Sequence, residues 1–176
     1  MTPKVFICDV DGVMTDGGFY YTAKGKVMKK FGGDDHDGLS LLKPYLEIRF
    51  VTGDRRGFEI SKARIATDMK MPLDLVSTIE RLEWISKSYN PAEVIYMGDG
   101  IFDHYVMQGV GYSIAPANAH PFARTAANFT TAASGGAGAV AEASLHILEK
   151  FFTAYNPAAP LPGKVTFSGA WEANKK

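Results

Sequence analysis

Residues 5–13 read VFICDVDGV, in which four apolar residues lead directly into two aspartates and a glycine. A short run that is apolar at every position is typical of a parallel strand buried on both faces. In an open sheet of parallel strands, ligands bind beyond the carboxyl ends of the strands. The sequence therefore predicts a buried first strand that presents Asp9 and Asp11 to a ligand.

Similar apolar runs recur along the chain and alternate with helical patterns. Further strands are predicted at 48–51, 94–97 and 111–114, and weaker ones at 73–76 and near Phe129. Helices are predicted at 58–69, about 79–90, 102–110 and 139–155. This alternation predicts an α/β fold built on a doubly wound, Rossmann-like parallel sheet.

One segment interrupts the alternation. Residues 19–22 and 26–31 have extended patterns, and the short segment between them ends in a glycine. This pattern predicts a β-hairpin over about 18–31, which is too small to be a cap domain. We expect one domain over 1–155 and an extended or disordered, proline-containing tail over 156–176.

The composition narrows the classes of partner. The 176 residues include 19 Lys plus Arg and 19 Asp plus Glu, so no net charge attracts nucleic acid or an acidic membrane. No apolar run is long enough to span a bilayer, and the N-terminus lacks the apolar segment of a signal peptide. Cys8 is the only cysteine and is predicted to be a core residue. We expect a cytoplasmic protein that acts on a small molecule.

Two further polar clusters follow later strands. Residues 52–54, which read Thr-Gly-Asp, come directly after the predicted strand at 48–51. Residues 99–103 carry an aspartate at each end and follow the strand at 94–97. Because the carboxyl ends of parallel strands share one edge of a sheet, these clusters are expected to meet the aspartates of the first strand.

These residue types suit phosphoryl transfer. Asp9 can attack phosphorus, and Asp11 can protonate the leaving oxygen and later deprotonate water. The Thr52 hydroxyl and the Gly53 amide can hydrogen-bond phosphoryl oxygens. The carboxylates predicted to hold Mg²⁺, a cation that prefers oxygen ligands, are Asp9, Asp11, Asp99 and Asp103.

The three clusters, in this order and at these strand ends, resemble motifs one, two and four of the haloacid dehalogenase superfamily. The resemblance runs from about Val5 to Tyr155. Residues 9–17 and the hairpin resemble a narrower group, the capless phosphatases of sugar acids, which includes 3-deoxy-D-manno-octulosonate 8-phosphate and nonulosonate 9-phosphate phosphatases. Further positions that match this group are Lys30, Phe31, Asp35, Gly38, Leu39, Val106, Met107, Ala119, His120, Pro121, Gly135, Gly136 and Gly138.

The resemblance implies a cap-free fold and Mg²⁺-dependent hydrolysis of a phosphorylated sugar acid through an aspartyl-phosphate at Asp9. It also implies a homotetramer, with the hairpins forming a central barrel and neighbouring subunits helping to close each site. Substrate contacts are expected from Gly53, Asp54 and Asp35. Without the family match, residues 34–37 would be predicted as a solvated loop that caps the next helix.

The chain departs from the family pattern at the third motif. That motif is a lysine near the start of the helix before Asn90, and residues 76–81 contain no lysine. Arg81 is the nearest base, and Arg55 and Arg56 are alternative sources of the missing positive charge. Arg81 and Arg55 are therefore predicted to bind the phosphorylated substrate.

A second departure concerns the substrate's carboxylate. Close relatives carry an arginine where this chain has Ser134, and an acidic residue is common where it has Ala137. An arginine binds a carboxylate through two parallel hydrogen bonds, which serine cannot reproduce. The sugar-acid anchor is thus predicted to differ from that of typical relatives.

Two alternatives to an active phosphatase are considered. The first is a phosphoryl-binding or regulatory subunit of the same fold, weakened in catalysis by its missing lysine. The second is a receiver-type signalling domain, which also pairs carboxylates on a doubly wound sheet. In a receiver domain the phosphorylated aspartate lies on a later strand than the acidic pair, whereas Asp9 and Asp11 share the exit of the first strand. The sequence therefore disfavours the receiver domain.

Overall fold

A computed structural model describes residues 2–160 of the chain. The strands are β1 (Val5–Asp9), β2 (Tyr20–Thr22), β3 (Gly25–Met28), β4 (Glu47–Thr52), β5 (Leu73–Leu75), β6 (Val94–Met97), β7 (Tyr112–Ala115) and β8 (Phe129–Thr130). The α-helices are α1 (Asp34–Leu42), α2 (Phe58–Lys62), α3 (Arg81–Ser88), α4 (Asp103–Gly109), α5 (Pro121–Ala126) and α6 (Ala139–Phe151). Most of the predicted tail, residues 161–176, lies outside the described residues, and residues 156–159 form a turn closed by Asn156.

Six strands form one parallel sheet in the order β5-β4-β1-β6-β7-β8. The central strand β1 lies between β4 and β6, with Asp9 opposite Val51 and Cys8 opposite Met97. The order runs outward from β1 in both directions, so the topological switch point of the sheet lies at its carboxyl end. The prediction of a doubly wound parallel sheet is confirmed, and the register brings the polar clusters that follow β1, β4 and β6 to one edge.

Helices cover both faces of the sheet, and the side chains of β1 alternate between two hydrophobic clusters. Phe6 and Cys8 pack in the cluster that includes residues of α1 and α6. Val5 and Ile7 pack in the cluster that includes residues of α3, α4 and α5. All four side chains are at most 1% exposed. Burial on both faces explains why the run is apolar at every position, and it places the free Cys8 thiol in the core.

The hairpin β2–β3 is an antiparallel pair of its own, inserted between β1 and α1. Its β2 side chains and the end of β3 are exposed, and a two-stranded ribbon is only marginally stable alone. Within residues 2–160 the hairpin is the only insertion into the strand–helix alternation, so this part of the chain carries no cap domain. In the same range, no helix is long and apolar enough to cross a membrane.

Helix α1 corrects the prediction of a solvated loop at 34–37, because the helix already begins at Asp34. The helix contains Gly38, which weakens the helical signal in the sequence. A Cβ atom at Gly38 would lie 2.6 Å from Ala141 Cα in α6. The glycine therefore permits the close packing of α1 against α6, a tertiary contact that local sequence patterns do not report.

Candidate active site

Asp9 ends β1 and is nearly buried, with 7% of its surface exposed. Its Oδ1 accepts a hydrogen bond of 2.7 Å from the Val10 amide. The chain then turns sharply at Gly12, where φ is +82°, a value that side chains with a Cβ atom rarely adopt. The Gly12 amide donates to the Thr15 hydroxyl at 3.1 Å. The loop after β1 is thus tightly wound and holds the Asp9 carboxylate in one orientation.

Arg81, at the start of α3, forms a two-pronged ion pair with Asp9. Its Nη1 lies 2.6 Å from Asp9 Oδ2, and its Nη2 lies 3.0 Å from Asp9 Oδ1. Nη1 also donates to the Tyr96 hydroxyl at 2.6 Å and to Asp103 at 3.2 Å. The side chain of Arg81 is only 2% exposed. The structure thus brings this predicted base, the nearest to the family's missing lysine, directly to the predicted nucleophile.

Three of the four predicted metal ligands converge. Carboxylate oxygens of Asp9, Asp99 and Asp103 all lie within 4.8 Å of one another. Burial, with the charges of Asp9 and Asp103, raises the pKa of Asp99 to about 8. Burial also raises the pKa of Asp9 to about 6, against the opposing charge of Arg81. Such crowding of carboxylates disfavours their joint ionisation unless a cation lies among them.

The shape of the loop after β1 also fits a small cation at this place. A Cβ atom at Gly12 would overlap the Asp99 carboxylate, so only glycine lets the Asp99 carboxylate come so close to the loop. Asp103 is held by the Tyr96 hydroxyl at 2.6 Å and by the Gly100 amide at 2.7 Å. The carboxylates of Asp9, Asp99 and Asp103 together offer the oxygen ligands that suit Mg²⁺.

Asp11 does not join this group. Its Oδ2 accepts a hydrogen bond of 3.0 Å from the Thr52 hydroxyl, and its Oδ1 forms an ion pair of 2.7 Å with Lys29 Nζ. The Asp11 side chain is 18% exposed, so it is held but still open to solvent. Asp11 is not among the carboxylates whose oxygens lie within 4.8 Å of one another, and its part in holding the metal stays a prediction.

Asp54 is bound by two lysines of the hairpin segment. Lys26 Nζ contacts Asp54 Oδ2, and Lys29 Nζ lies 2.9 Å from the same oxygen. Burial would raise the pKa of Asp54, but its hydrogen bonds to Lys26 and Lys29 prevail and lower it to about 2. Neither lysine was among the predicted site residues. The signal in the sequence was two lysines three residues apart in the hairpin segment, which reads equally well as a solvated strand.

The remaining predicted substrate contacts lie in different surroundings. Gly53 and Arg55 are exposed beyond the end of β4, and Arg55 forms no ion pair with a residue in the range 2–160. Asp35 is fully buried, and its Oδ1 accepts hydrogen bonds of 3.0 Å from the amides of Val140 and Ala141 at the start of α6. Asp35 therefore fixes the start of α6 to α1, and its contact with the substrate stays a prediction.

Asn118 is a residue near the site that the sequence did not single out. Its Nδ2 donates to the Gly12 carbonyl at 3.0 Å, and its Oδ1 accepts from the Gly135 amide at 2.6 Å. Asn118 thereby fastens the loop that contains Ser134 to the loop that follows β1. No pattern of spacing or charge marks such an asparagine in the sequence.

Comparison with known proteins decides the family. A sequence model of the haloacid dehalogenase-like hydrolases matches residues 77–143. The chain is 32% identical over 149 residues to the 3-deoxy-D-manno-octulosonate 8-phosphate phosphatase of Yersinia pestis, covering 79% of this chain and 76% of that protein. It belongs to the haloacid dehalogenase-like hydrolases. The corresponding phosphatase of Salmonella typhi is 34% identical over 146 residues, with the same coverage.

Solved structures of this hydrolase family share the fold. A cobalt-bound deoxy-D-mannose-octulosonate 8-phosphate phosphatase from Haemophilus influenzae superposes with a TM-score of 0.73 at 27% identity, covering 84% of this chain and 88% of that chain. The enzyme from Moraxella catarrhalis, in complex with magnesium, phosphate and KDO, superposes with a TM-score of 0.66 at 26% identity, covering 84% and 86%. These haloacid dehalogenase-like relatives are phosphatases, and membership in their family makes this hydrolase a phosphoric monoester hydrolase and not a receiver domain.

Proposed function

We propose that the protein is a Mg²⁺-dependent phosphatase of a phosphorylated sugar acid of the 3-deoxy-D-manno-octulosonate 8-phosphate or nonulosonate 9-phosphate type. The observation that carries the proposal is the meeting of Asp9, Asp99 and Asp103 with Arg81 at the switch point of the sheet. The names of the relatives, and the magnesium, phosphate and KDO bound to one of them, support the same substrate class.

In this proposal Asp9 is the nucleophile and Asp11 the acid and base. Asp9 attacks phosphorus and forms an aspartyl-phosphate, while the bond to the leaving oxygen breaks and Asp11 donates a proton to that oxygen. A water molecule then attacks the phosphorus, gives its proton to Asp11, and releases phosphate and a free Asp9 carboxylate. The Gly53 amide binds a phosphoryl oxygen, whereas the single O–H of Thr52 is donated to Asp11 Oδ2 and holds the acid. Asp9, Asp99 and Asp103 would hold Mg²⁺, whose charge would offset that of the phosphoryl group.

Arg81 supplies the positive charge that a lysine supplies in the family's third motif. Its guanidinium already neutralises Asp9, so an incoming phosphoryl group meets a site with less net negative charge. The contacts of Arg81 Nη1 with Asp9 and Asp103 place this charge beside the nucleophile. The exposed positions of Arg55 and Arg56 make them weaker candidates for this role.

The deciding experiment is a turnover assay with a panel of phosphorylated metabolites in the presence of Mg²⁺. The panel includes sugar-acid phosphates, neutral sugar phosphates and a generic aryl phosphate. We expect turnover of the aryl phosphate and preference for a sugar-acid phosphate. If the protein binds phosphate in the presence of Mg²⁺ but hydrolyses none of the compounds, it is a phosphoryl-binding or regulatory subunit.

Asp99→Ala is expected to raise the Mg²⁺ concentration for half-maximal activity by at least about tenfold, as loss of a group that holds or orients a metal costs about 10–100-fold in metal affinity or activity. The measurement is turnover against Mg²⁺ concentration. Asp68→Ala, at an exposed aspartate remote from the site, is the matched control and should leave the curve in place. An unchanged curve for Asp99→Ala would remove this carboxylate from the metal site.

The protein is expected to be a homotetramer assembled through its hairpins. Tyr20, Tyr21 and Met28 are 50–58% exposed on a ribbon that is marginal alone, and pairing of hairpins would cover them. Light scattering at micromolar concentration should give the mass of four chains. Tyr21→Glu should reduce that mass, whereas Tyr105→Glu, at an equally exposed tyrosine on α4, should not. A monomeric mass for the unmodified protein would contradict the assembly.

A further inference from the structure

The positively charged side chain of Lys29 is completely buried, with 0% of its surface exposed. Three oxygens surround its ammonium group: Asp11 Oδ1 at 2.7 Å, Asp54 Oδ2 at 2.9 Å and Ser61 Oγ at 2.8 Å. An ammonium group has three N–H donors and no acceptor, so the number of oxygens equals the number of donors. Burial of a lysine is costly unless the charge is paired, and here two carboxylates pair with it.

The surroundings of Lys29 connect three parts of the fold. Lys29 directly follows β3 of the hairpin, Ser61 belongs to α2, and Asp11 lies in the loop after β1. The other carboxylate oxygen of Asp11, Oδ2, accepts a hydrogen bond of 3.0 Å from the Thr52 hydroxyl. The two oxygens of the Asp11 carboxylate therefore have different partners: Oδ1 forms the ion pair with Lys29, and Oδ2 accepts the hydrogen bond from Thr52. Two contacts on the two oxygens fix the plane of the carboxyl group as well as its place.

We propose that Lys29 is the positioning residue of the proton-transfer step, holding the Asp11 carboxyl group in the orientation from which it protonates the leaving oxygen. The inference rests on the proposed function, in which Asp11 is the acid. The ammonium group of Lys29 contacts Asp54 and Ser61 as well as Asp11, so Lys29 acts on the reaction through Asp11 and not through contact with the substrate. Proton transfer needs the donor within hydrogen-bond reach of the receiving oxygen, so a freely rotating Asp11 would transfer its proton less often.

If Lys29 positions Asp11, its loss has a kinetic signature that the loss of a purely structural residue lacks. An alkoxide is a poor leaving group and needs the proton of Asp11, whereas nitrophenolate leaves without protonation. The ratio kcat/KM includes only the steps up to departure of the leaving group, so the later action of Asp11 as a base does not enter it. Loss of Lys29 should therefore lower kcat/KM for an alkyl phosphate selectively.

The experiment compares Lys29→Met with the unmodified full chain on p-nitrophenyl phosphate and on the best alkyl phosphate of the panel. We expect kcat/KM to fall about 10²-fold or more for the alkyl phosphate, the usual size of a general-acid contribution, and less than about tenfold for the aryl phosphate. Asp11→Asn should shift the alkyl-to-aryl ratio in the same direction. Activity of Lys29→Met on the aryl phosphate shows at the same time that the variant is folded.

The matched control is Lys30→Met. Lys30 is the next residue in the chain, has a side chain that is 62% exposed, and lies 3.9 Å from Asp16, and the structure shows no ion pair between Lys30 and Asp11. Its alkyl-to-aryl ratio should stay that of the unmodified protein. Equal losses on both substrates for Lys29→Met would overturn the inference while leaving the proposed function intact. If the unmodified protein hydrolyses neither substrate, the proposed function itself fails.

A second variant keeps the test decisive if Lys29→Met does not fold. Ser61→Ala removes one neutral oxygen from the ammonium group and leaves both ion pairs in place. It should move the alkyl-to-aryl ratio in the same direction by a smaller factor, because Lys29 is then held less firmly. If Lys29→Met does not fold and Ser61→Ala leaves the alkyl-to-aryl ratio of kcat/KM unchanged, the positioning role is overturned.

Discussion

Asp9→Asn will abolish turnover and leave the fold in place. An amide cannot attack phosphorus, whereas an amide oxygen in the place of Asp9 Oδ1 can still accept hydrogen bonds from Arg81 Nη2 and the Val10 amide. Arg81 also keeps its ion pair with Asp103. Loss of a catalytic nucleophile costs up to about 10⁶ in kcat in well-studied hydrolases, and here we expect a loss of at least about 10³. The measurement is turnover of the aryl phosphate with saturating Mg²⁺, together with circular dichroism to show that the variant is folded.

Asp16→Asn is the matched control for Asp9→Asn. Asp16 lies in the same loop, is partly exposed, and serves the local turn by accepting from the Gly18 amide at 3.0 Å. It should keep activity within a factor of about three, since surface substitutions away from special features change little. Residual activity of Asp9→Asn above a few per cent would assign the nucleophile to another residue.

Arg81→Met will lower both activity and stability. The substitution leaves Asp9 and Asp103 buried without their cation, and breaking a buried ion pair in this way costs about 3–5 kcal/mol of folding free energy. Turnover should fall about 10²–10³-fold, the usual cost of one preorganised charge in a dry site. Arg81→Lys should retain more activity, because it restores the charge, but an ammonium group cannot reproduce the two-pronged contact with Asp9.

The effects on stability and on activity are measured separately, by urea denaturation and by steady-state kinetics, for the unmodified protein, Arg81→Met and Arg81→Lys. Arg124→Met is the control, since Arg124 is exposed and donates to a neutral carbonyl at 3.1 Å. Its free energy of unfolding and its turnover should stay close to those of the unmodified protein. Arg55→Met tests the competing source of positive charge. If Arg55→Met lowers turnover more than Arg81→Met does, the charge of the third motif comes from the exposed arginine and not from α3.

The fold could be predicted from the sequence because its signal is local. The strand β1 is apolar at every position since both of its faces are buried, and the predicted strand at 94–97 agrees with β6 residue for residue. The start of helix α1 was placed too late, since the helix begins at Asp34 and not after residue 37. Gly38 inside it is explained by Ala141, which lies more than 100 residues away. Helix α6 ends at Phe151, four residues before its predicted end, because the backbone of Phe152, with φ −132° and ψ −113°, is no longer helical.

The candidate site was predictable in part. Asp9, Asp99 and Asp103 follow strands that the sequence identifies, so their meeting follows from the geometry of a parallel sheet. Lys29 and Asn118 could not be predicted, because each acts through partners that are distant in the chain. The contact between Arg81 and Asp9 could not be predicted either. The position of the start of α3 relative to the end of β1 depends on how the helix packs on the sheet, and spacing in the sequence does not report it.

The two hairpin lysines have a consequence for how the protein loses activity on heating. The hairpin is a small ribbon whose buried anchors in the main domain include Lys26 and Lys29. Segments of this kind open locally at a lower free energy than the whole domain unfolds. Opening would withdraw Lys29 from Asp11 while the six-stranded sheet remains intact. Thermal inactivation should therefore precede global melting, and assembly of subunits through the hairpins would raise the temperature at which activity is lost.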